Sequence, residues 1–130
     1  MNTIVVKDRT IGGEDLNEIE LRFETESVTV KDLITSRVIK EVERYNQGDP
    51  SVFSGLVVPE KVEKLLKKTE KPEKRIVDAE QQVYVALDGF TKNQFFVIIN
   101  DKQAESLDEE IQLSSIKEIE FIKLTPLVGG

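Results

Sequence analysis

The first part of the chain alternates between apolar and polar residues in a pattern that predicts a β-hairpin. Residues 4–6 are Ile-Val-Val and open a short predicted strand. The polar stretch 7–15 contains two adjacent glycines, which accept positive φ at little cost, so it is expected to be a turn. Ile19, Leu21 and Phe23 then occupy every second position, which predicts a second strand with one buried face.

A helix is predicted next, because the apolar spacing changes from two to about 3.6 residues. Thr29 followed by Asp32 resembles an N-cap with an acidic residue one turn later. The apolar stripe consists of Val30, Leu33, Ile34, Val38, Val42 and Tyr45. The polar side is expected to carry Lys31, Arg37, Lys40, Glu41 and Arg44. Gly48 and Pro50 are expected to end the helix.

Residues 47–93 are predicted to form a helical insertion. Residues 51–58 are expected to be a loop, and Pro59 to begin a short helix over 60–68. A charged linker is predicted over 69–74, and a second helix over 75–90. The apolar set of that second helix is Ile76, Val77, Val83, Tyr84, Leu87 and Phe90. Its segment Val83–Val85 is alternatively a strand. The lysines of 60–75 alternate with glutamates, which is typical of an ion-paired surface.

The last third of the chain is predicted to be mostly strand. Residues 94–100 are a nearly continuous apolar run, which favours a strand covered on both faces. A turn follows at Asn100-Asp101, and then a short polar strand over 102–105. Ile111, Leu113 and Ile116 are expected to pack into the base of the domain. In the final strand, 118–124, Ile119 and Phe121 share one face, whereas Ile122 and Leu124 share the other.

Composition excludes several classes of function. The chain has 130 residues, a net charge of −7, and neither histidine nor cysteine. An acidic chain is a poor general binder of nucleic acid, and no apolar run approaches the ~20 residues of a membrane span. Without histidine or cysteine, the usual catalytic bases, thiolate nucleophiles and metal ligands are missing. Three successive acids, Asp108–Glu110, are expected to be a solvated turn. The start has no signal-peptide pattern, so the expected location is the cytoplasm.

Three segments near the C-terminus resemble the ubiquitin-like sulfur carriers. Residues 96–101 look like their central strand and turn, and 106–108 look like their loop in which aspartate precedes apolar residues. Residues 118–130 look like their final strand, with Pro126 and the ending Gly129-Gly130. The small subunit of molybdopterin synthase and the thiamine sulfur carrier carry this local likeness. It covers 94–130 well, 1–46 loosely and 47–93 not at all.

The resemblance implies an α+β fold of the β-grasp (ubiquitin-like) type, with a mixed sheet packed on a helix. Residues 1–130 are expected to be one domain, with the helical insertion at 47–93 and a flexible C-terminal tail at 125–130. The resemblance also implies that the protein is not an enzyme. It would be a carrier whose Gly130 carboxylate, next to Gly129, is adenylated by an activating enzyme. ATP would be used by that partner, and the carrier would need no cofactor of its own.

The insertion favours the bacterial ubiquitin-like proteins that accompany conjugating enzymes in antiviral-type operons. The implied partners are an activating enzyme, a conjugating enzyme and a deconjugating protease, without nucleic acid or membrane. Partner docking is expected at Ile122, Leu124, Pro126, Leu127 and Val128. One alternative is a sulfur carrier that forms a C-terminal thiocarboxylate for a sulfur acceptor in cofactor biosynthesis. Another is a β-grasp interaction module that binds partners without covalent chemistry.

Overall fold

A computed structural model describes residues 2–46, 57–59, 78–124 and 127–129 of the chain. Within these residues the strands are β1 (Asn2–Thr10), β2 (Asp15–Phe23), β3 (Ser27–Thr29), β4 (Val57–Pro59), β5 (Phe95–Ile99), β6 (Lys102–Gln103), β7 (Glu110–Gln112), β8 (Ile119–Lys123) and β9 (Leu127–Gly129). The helices are α1 (Val30–Asn46) and α2 (Ala79–Thr91), and a 3₁₀ turn spans Leu113–Ser115.

The main sheet has five strands in the order β2-β1-β8-β5-β6. Strand β8 runs parallel to β1 and antiparallel to β5, so the sheet is mixed. Two small ribbons lie apart from it, an antiparallel pair β3-β7 and a parallel pair β4-β9. The prediction of an α+β fold with a mixed sheet is therefore confirmed.

The first hairpin is longer than the sequence pattern predicted. Strand β1 continues through Thr10, and the turn is confined to residues 11–14, where Gly13 has a φ of 87°. The stretch 7–10 was predicted as turn because it is polar. It is a strand because residues 6–9 pair with both β2 and β8, Thr10 pairs with β8, and Asp8 continues the inward face of Ile4 and Val6.

Helix α1 begins where the capping pattern predicted. The Asp32 amide donates to Thr29 Oγ1 (3.1 Å), and the Thr29 amide donates to Asp32 Oδ2 (3.0 Å), a reciprocal capping box. The expected stripe is buried at Val30, Leu33, Ile34, Val38 and Val42. The assignment of Arg37 and Glu41 to the polar side was wrong, because both side chains are buried. The side chain of Tyr45 lies outside the described residues.

Residues 83–85 lie within helix α2, so the prediction of a helix here is confirmed and the alternative strand is not formed. The helix begins after Asp78, whose Oδ1 accepts a hydrogen bond from the Glu80 amide (3.0 Å). Its buried residues are Gln82, Ala86, Gly89 and Phe90, whereas Tyr84, predicted to be in the apolar set, is 71% exposed. Among the described residues, neither this helix nor α1 is both long enough and apolar enough to cross a bilayer.

The rest of the 47–93 insertion is only partly described. Residues 57–59, predicted as loop and helix start, form strand β4. Several predictions lie outside the described residues: the helix over 60–68, the linker over 69–74, Ile76 and Val77. The alternating lysines and glutamates of 60–75 lie outside them as well. The end predicted for α1 at 48–50 also lies outside them.

A tight turn joins β5 to β6. Both turn residues, Asn100 and Asp101, have positive φ (49° and 69°), as a two-residue hairpin with the right-handed strand twist requires. The Asn100 side chain holds the loop before β8: its Oδ1 accepts from the amides of Lys117 (2.7 Å) and Glu118 (3.1 Å), and its Nδ2 donates to Ser115 O (2.9 Å). The predicted turn is confirmed.

The hydrophobic core lies between one face of the main sheet and α1. Strand residues Val6, Ile119 and Phe121 are fully buried, and Ile111 and Leu113 close the base as predicted. The rings of Phe95 and Phe121 stack with centroids 5.8 Å apart. Helix α2 lies beside α1 and adds Phe90, which meets Phe95 edge to face.

Candidate functional site

The final strand of the main sheet is fixed on both sides. Strand β8 hydrogen-bonds to β1 and β5, so the chain leaves the domain from the interior of the sheet. Ile119 and Phe121 point into the core and are completely buried. The Arg37 guanidinium carbon lies 4.5 Å from the centre of the Phe121 ring, within cation–π distance. The residues that follow Lys123 therefore leave a rigid base.

The opposite face of β8 carries apolar side chains that the core does not use. Ile122 lies directly opposite Phe96 on β5, and Ile98 is the next residue of that face. We call Phe96, Ile98 and Ile122 the outer-face patch; each is half-buried. Leu124 follows and is 36% exposed. The expected division of faces in the final strand is confirmed for these residues, while their docking role stays a prediction.

Charged side chains border the outer-face patch on the β1 side. Arg9, opposite Ile122 in the ladder, donates to Glu120 Oε1 at 2.9 Å and to Glu118 Oε1 at 3.5 Å. Lys7 lies 3.8 Å from Glu118 Oε1. Such partly exposed ion pairs add little stability, about 0–1 kcal/mol each. Together with the apolar patch they give the outer face a charged border beside an apolar centre, a usual layout for a protein contact.

Beneath the same strand lies a buried charge network. The guanidinium of Arg37 donates through both terminal nitrogens to the two carboxylate oxygens of Asp8, and through Nε to Glu41 Oε1 at 2.7 Å. Lys123 Nζ lies 3.8 Å from Asp8 Oδ2. The side chains of Arg37 and Asp8 are 0% and 1% exposed. The network joins α1, β1 and the last residue of β8.

The network shifts the pKa of each of its two cations. Burial by itself lowers the pKa of Arg37, but attraction to Glu41 and the hydrogen bonds and charge of Asp8 outweigh it, so the pKa is raised. Desolvation lowers the pKa of Lys123, and the nearby charge of Asp8 only partly opposes this. The arrangement holds charge without exposing a reactive group, which fits a structural role at the base of the tail.

Sequence reasoning missed this network although its signal was present. Arg37 and Glu41 occupy positions that continue the apolar stripe of α1, adjacent to Val38 and Val42. Asp8 likewise continues the alternation of Ile4 and Val6. A charged residue at a core position, matched by an opposite charge at another core position, indicates a buried ion pair.

Three residues of the tail form a strand that pairs with the insertion. Leu127–Gly129 forms β9, which pairs in parallel with Val57–Pro59. Cα atoms of both strands lie within 8 Å of Cα atoms in α2. Of the residues expected at the docking and activation site, Leu127, Val128 and Gly129 are thus brought against the insertion, while their docking and activation roles stay predictions. Pro126 and Gly130 lie outside the described residues.

Acidic residues do not form an evident metal site in the part of the chain that is described. No group of three acidic side chains there has the geometry to hold a metal ion. Asp108, Glu109 and Glu110 are all exposed, and Glu109 Oε2 accepts a hydrogen bond from the Glu105 amide (3.0 Å). The predicted exposure of all three acids is confirmed, although Glu110 belongs to strand β7 and not to the turn.

Comparison with protein-family models, with characterised proteins and with solved structures found no match. The function of the chain has therefore to be inferred from its own residues and contacts.

Proposed function

We propose that this protein is a ubiquitin-like carrier with a β-grasp fold, and that the carboxylate of Gly130 is the group that a partner enzyme activates. The observation that carries the proposal is the position of β8. It lies between the parallel β1 and the antiparallel β5, with α1 on the core side. This order of a hairpin, a helix and a central last strand is the arrangement expected of a β-grasp domain. Residues 124–130 then follow directly from the rigid sheet.

The proposed chemistry uses the terminal carboxylate. At neutral pH an α-carboxyl group is ionised, and its oxygen can attack the α-phosphorus of ATP. The bond from that phosphorus to the bridging oxygen of the β-phosphate breaks, pyrophosphate leaves, and an acyl-adenylate forms. A cysteine thiolate of a partner enzyme then displaces AMP and gives a thioester. An amine of the target displaces that thiolate and loses a proton, which leaves an amide.

Glycine suits this end of the chain for a steric reason. Gly129 and Gly130 have no Cβ, so the backbone can pass through a narrow channel and approach the phosphate closely. The partner's site excludes water and positions the two reactants, which supplies much of the rate enhancement. The carrier itself provides only the acyl group, in keeping with a sequence that has no histidine or cysteine.

The activating enzyme is proposed to dock on the outer-face patch. Ile122 and Leu124 lie on that face immediately before the tail, and Phe96 adds an aromatic side chain beside Ile122. A few well-packed residues near the centre of a protein contact carry most of its binding energy, and aromatic side chains are prominent among them. Docking there places the enzyme next to the segment that contains Pro126, Leu127 and Val128.

One observation favours a second candidate. Because Leu127–Gly129 pairs with β4, the tail has a structural partner within the chain. A protein whose tail is only a strand would be an interaction module, which binds partners through a sheet edge or the outer face without covalent chemistry. Removal of Gly129-Gly130 separates the two functions, because binding survives it in the second candidate whereas transfer requires both glycines.

The test incubates the full chain with ATP and, in turn, with each adenylating enzyme of the organism that produces it. Intact mass is expected to show a protein that ends at Gly130, and then the adenylate or the enzyme thioester. The matched control carries Gly130 as a carboxamide, which leaves the body unchanged but has no oxyanion to activate. Ile122→Asp is expected to raise the KM for the carrier at least tenfold, whereas the exposed Ile11→Asp is expected to leave it within twofold.

Three results decide between the candidates. A thiocarboxylate in place of the enzyme thioester assigns the protein to sulfur transfer. Equal mass shifts for the acid and the carboxamide place any modification away from Gly130 and reject the proposal. Absence of any modified species from a chain that ends at native Gly130 rejects it as well.

A further inference from the structure

The ribbon formed by β4 and β9 joins the tail to the insertion by strand pairing. Residues 57–59 pair one to one with residues 127–129, in parallel. The ribbon is separate from the main sheet and has only three residues in each strand. Two-stranded ribbons of this size are marginally stable, so its stability depends on the neighbouring helix α2.

The hydrogen bonds of the ribbon can be assigned from one missing donor. In a parallel pair, a bonded residue contacts the residues before and after its partner on the other strand. Were Val128 that residue, it would have to accept from the amide of residue 59, but Pro59 has no N–H. Val58 is therefore the bonded residue: its amide donates to the Leu127 carbonyl, and its carbonyl accepts from the Gly129 amide.

This geometry conflicts with the use of the tail as an acyl donor. A tail that enters an enzyme channel must be extended and free of the domain on all sides. The bond from the Gly129 amide to Val58 instead holds the residue next to Gly130 against the body of the protein. Backbone groups held in this way become available only when the ribbon opens locally.

We propose that Val57–Pro59 is an autoinhibitory latch, which pairs with the tail and must release it before Gly130 can be activated. The latch rests on the proposed function, because it regulates activation at that residue. A partner that takes up the insertion, or that offers its own strand edge to Leu127–Gly129, opens the latch and exposes the tail. The carrier is thereby kept from non-productive activation when that partner is absent.

Two matched variants test the latch. Val58→Pro removes the amide that donates to Leu127, whereas Val57→Pro removes an amide that points away from β9, because successive amides of a strand alternate in direction. Hydrogen exchange of the Gly129 amide, followed by NMR on the full chain, is the first measurement. We expect protection in the unaltered protein and exchange about fivefold faster in Val58→Pro, the factor for one lost hydrogen bond. In Val57→Pro the change is expected to stay below twofold.

The second measurement is the rate of adenylate formation with the adenylating enzyme and ATP. We expect Val58→Pro to be activated about fivefold faster than Val57→Pro. A reversible lock provides an independent check, since the chain has no cysteine of its own. Val57 and Leu127 are paired positions, and cysteines placed at both are within disulfide reach. Within this one variant, reduction of the disulfide is expected to raise the rate of adenylate formation at least tenfold.

The outcomes separate the latch from the proposed function. An unprotected Gly129 amide overturns the latch, as does equal adenylation of the two proline variants or of the oxidised and reduced double-cysteine protein. Faster exchange in Val58→Pro, without adenylate from any variant, supports the pairing but removes the proposed function and with it the inhibitory role. Faster exchange and faster adenylation together support both.

Discussion

Removal of the Arg37 guanidinium is expected to destabilise the protein more than any comparable change on the surface of α1. The Arg37→Met variant keeps a long, helix-compatible side chain but deletes a fully buried cation. Asp8 and Glu41 then remain buried without the group that both of them contact. Breaking a buried ion pair in this way costs about 3–5 kcal/mol, because the remaining charge is not compensated.

The structure narrows this range. Lys123 Nζ remains 3.8 Å from Asp8 Oδ2 and compensates part of the negative charge of that buried carboxylate. This favours the lower end of the range for the loss of stability. Phe121 also loses the cation over its ring. Relative to a total stability of about 5–15 kcal/mol, a loss of this size lowers the melting temperature by about 10–20 °C.

Urea unfolding followed by circular dichroism measures the effect. Arg44→Met is the matched control, because it makes the same chemical change in the same helix at a half-exposed position. It is expected to change the free energy of unfolding by less than about 0.5 kcal/mol. The triple variant Asp8→Asn, Arg37→Met, Glu41→Gln is expected to recover much of the loss, since neither carboxylate of the network then keeps a buried, uncompensated charge.

The reasoning fails if Arg37→Met and Arg44→Met unfold at the same urea concentration. It also fails if the triple variant is less stable than Arg37→Met alone, because the cost would then come from lost packing and not from buried charge. The stability of Arg37→Lys is expected to fall between those of the unaltered protein and Arg37→Met. Lysine keeps the charge but cannot bond both carboxylates through a planar fork.

Further predictions concern the turn, the cap and the pH dependence. Asn100→Gly adopts the positive φ without strain and loses only the side-chain hydrogen bonds, whereas Asn100→Ala loses those bonds and is also strained at positive φ. Chemical denaturation should show the alanine variant less stable than the glycine variant by about 1 kcal/mol. Equal losses of stability would contradict this. Thr29→Ala should cost about 1 kcal/mol by breaking the capping box, with an unchanged urea midpoint as the refuting result. Because the pKa of Lys123 is lowered in the folded protein, the unfolded chain holds that proton more tightly. Stability therefore rises with pH between the folded-state pKa and the ordinary lysine pKa. The gain in stability is lost again as the pH falls through the folded-state pKa. Urea midpoints of Lys123→Met across the alkaline range should lack this rise, and an unchanged slope would count against it.

Several elements were predictable from the sequence alone, because their signals are local. The alternation in Ile19, Leu21 and Phe23 and the 3.6-residue stripe that begins at Val30 each report which face of a segment is buried. Thr29 with Asp32 marked the start of α1, because a cap acts within one helical turn. The division of Ile119 from Ile122 between two faces of β8 followed from the two-residue period of a strand.

The contacts between residues that are distant in the sequence became visible in the folded chain alone. Asp8 was expected in a turn and Arg37 on the polar side of α1, but each lies at a core position where the other neutralises its charge. Tyr84 was expected in the core and is exposed, because the opposite side of α2 faces the domain. The pairing of β9 with β4 joins segments that are far apart in the sequence, and strand pairing depends on backbone groups that every residue shares. Side-chain patterns therefore report which face of a segment is buried, whereas its partner is fixed only when the whole chain packs.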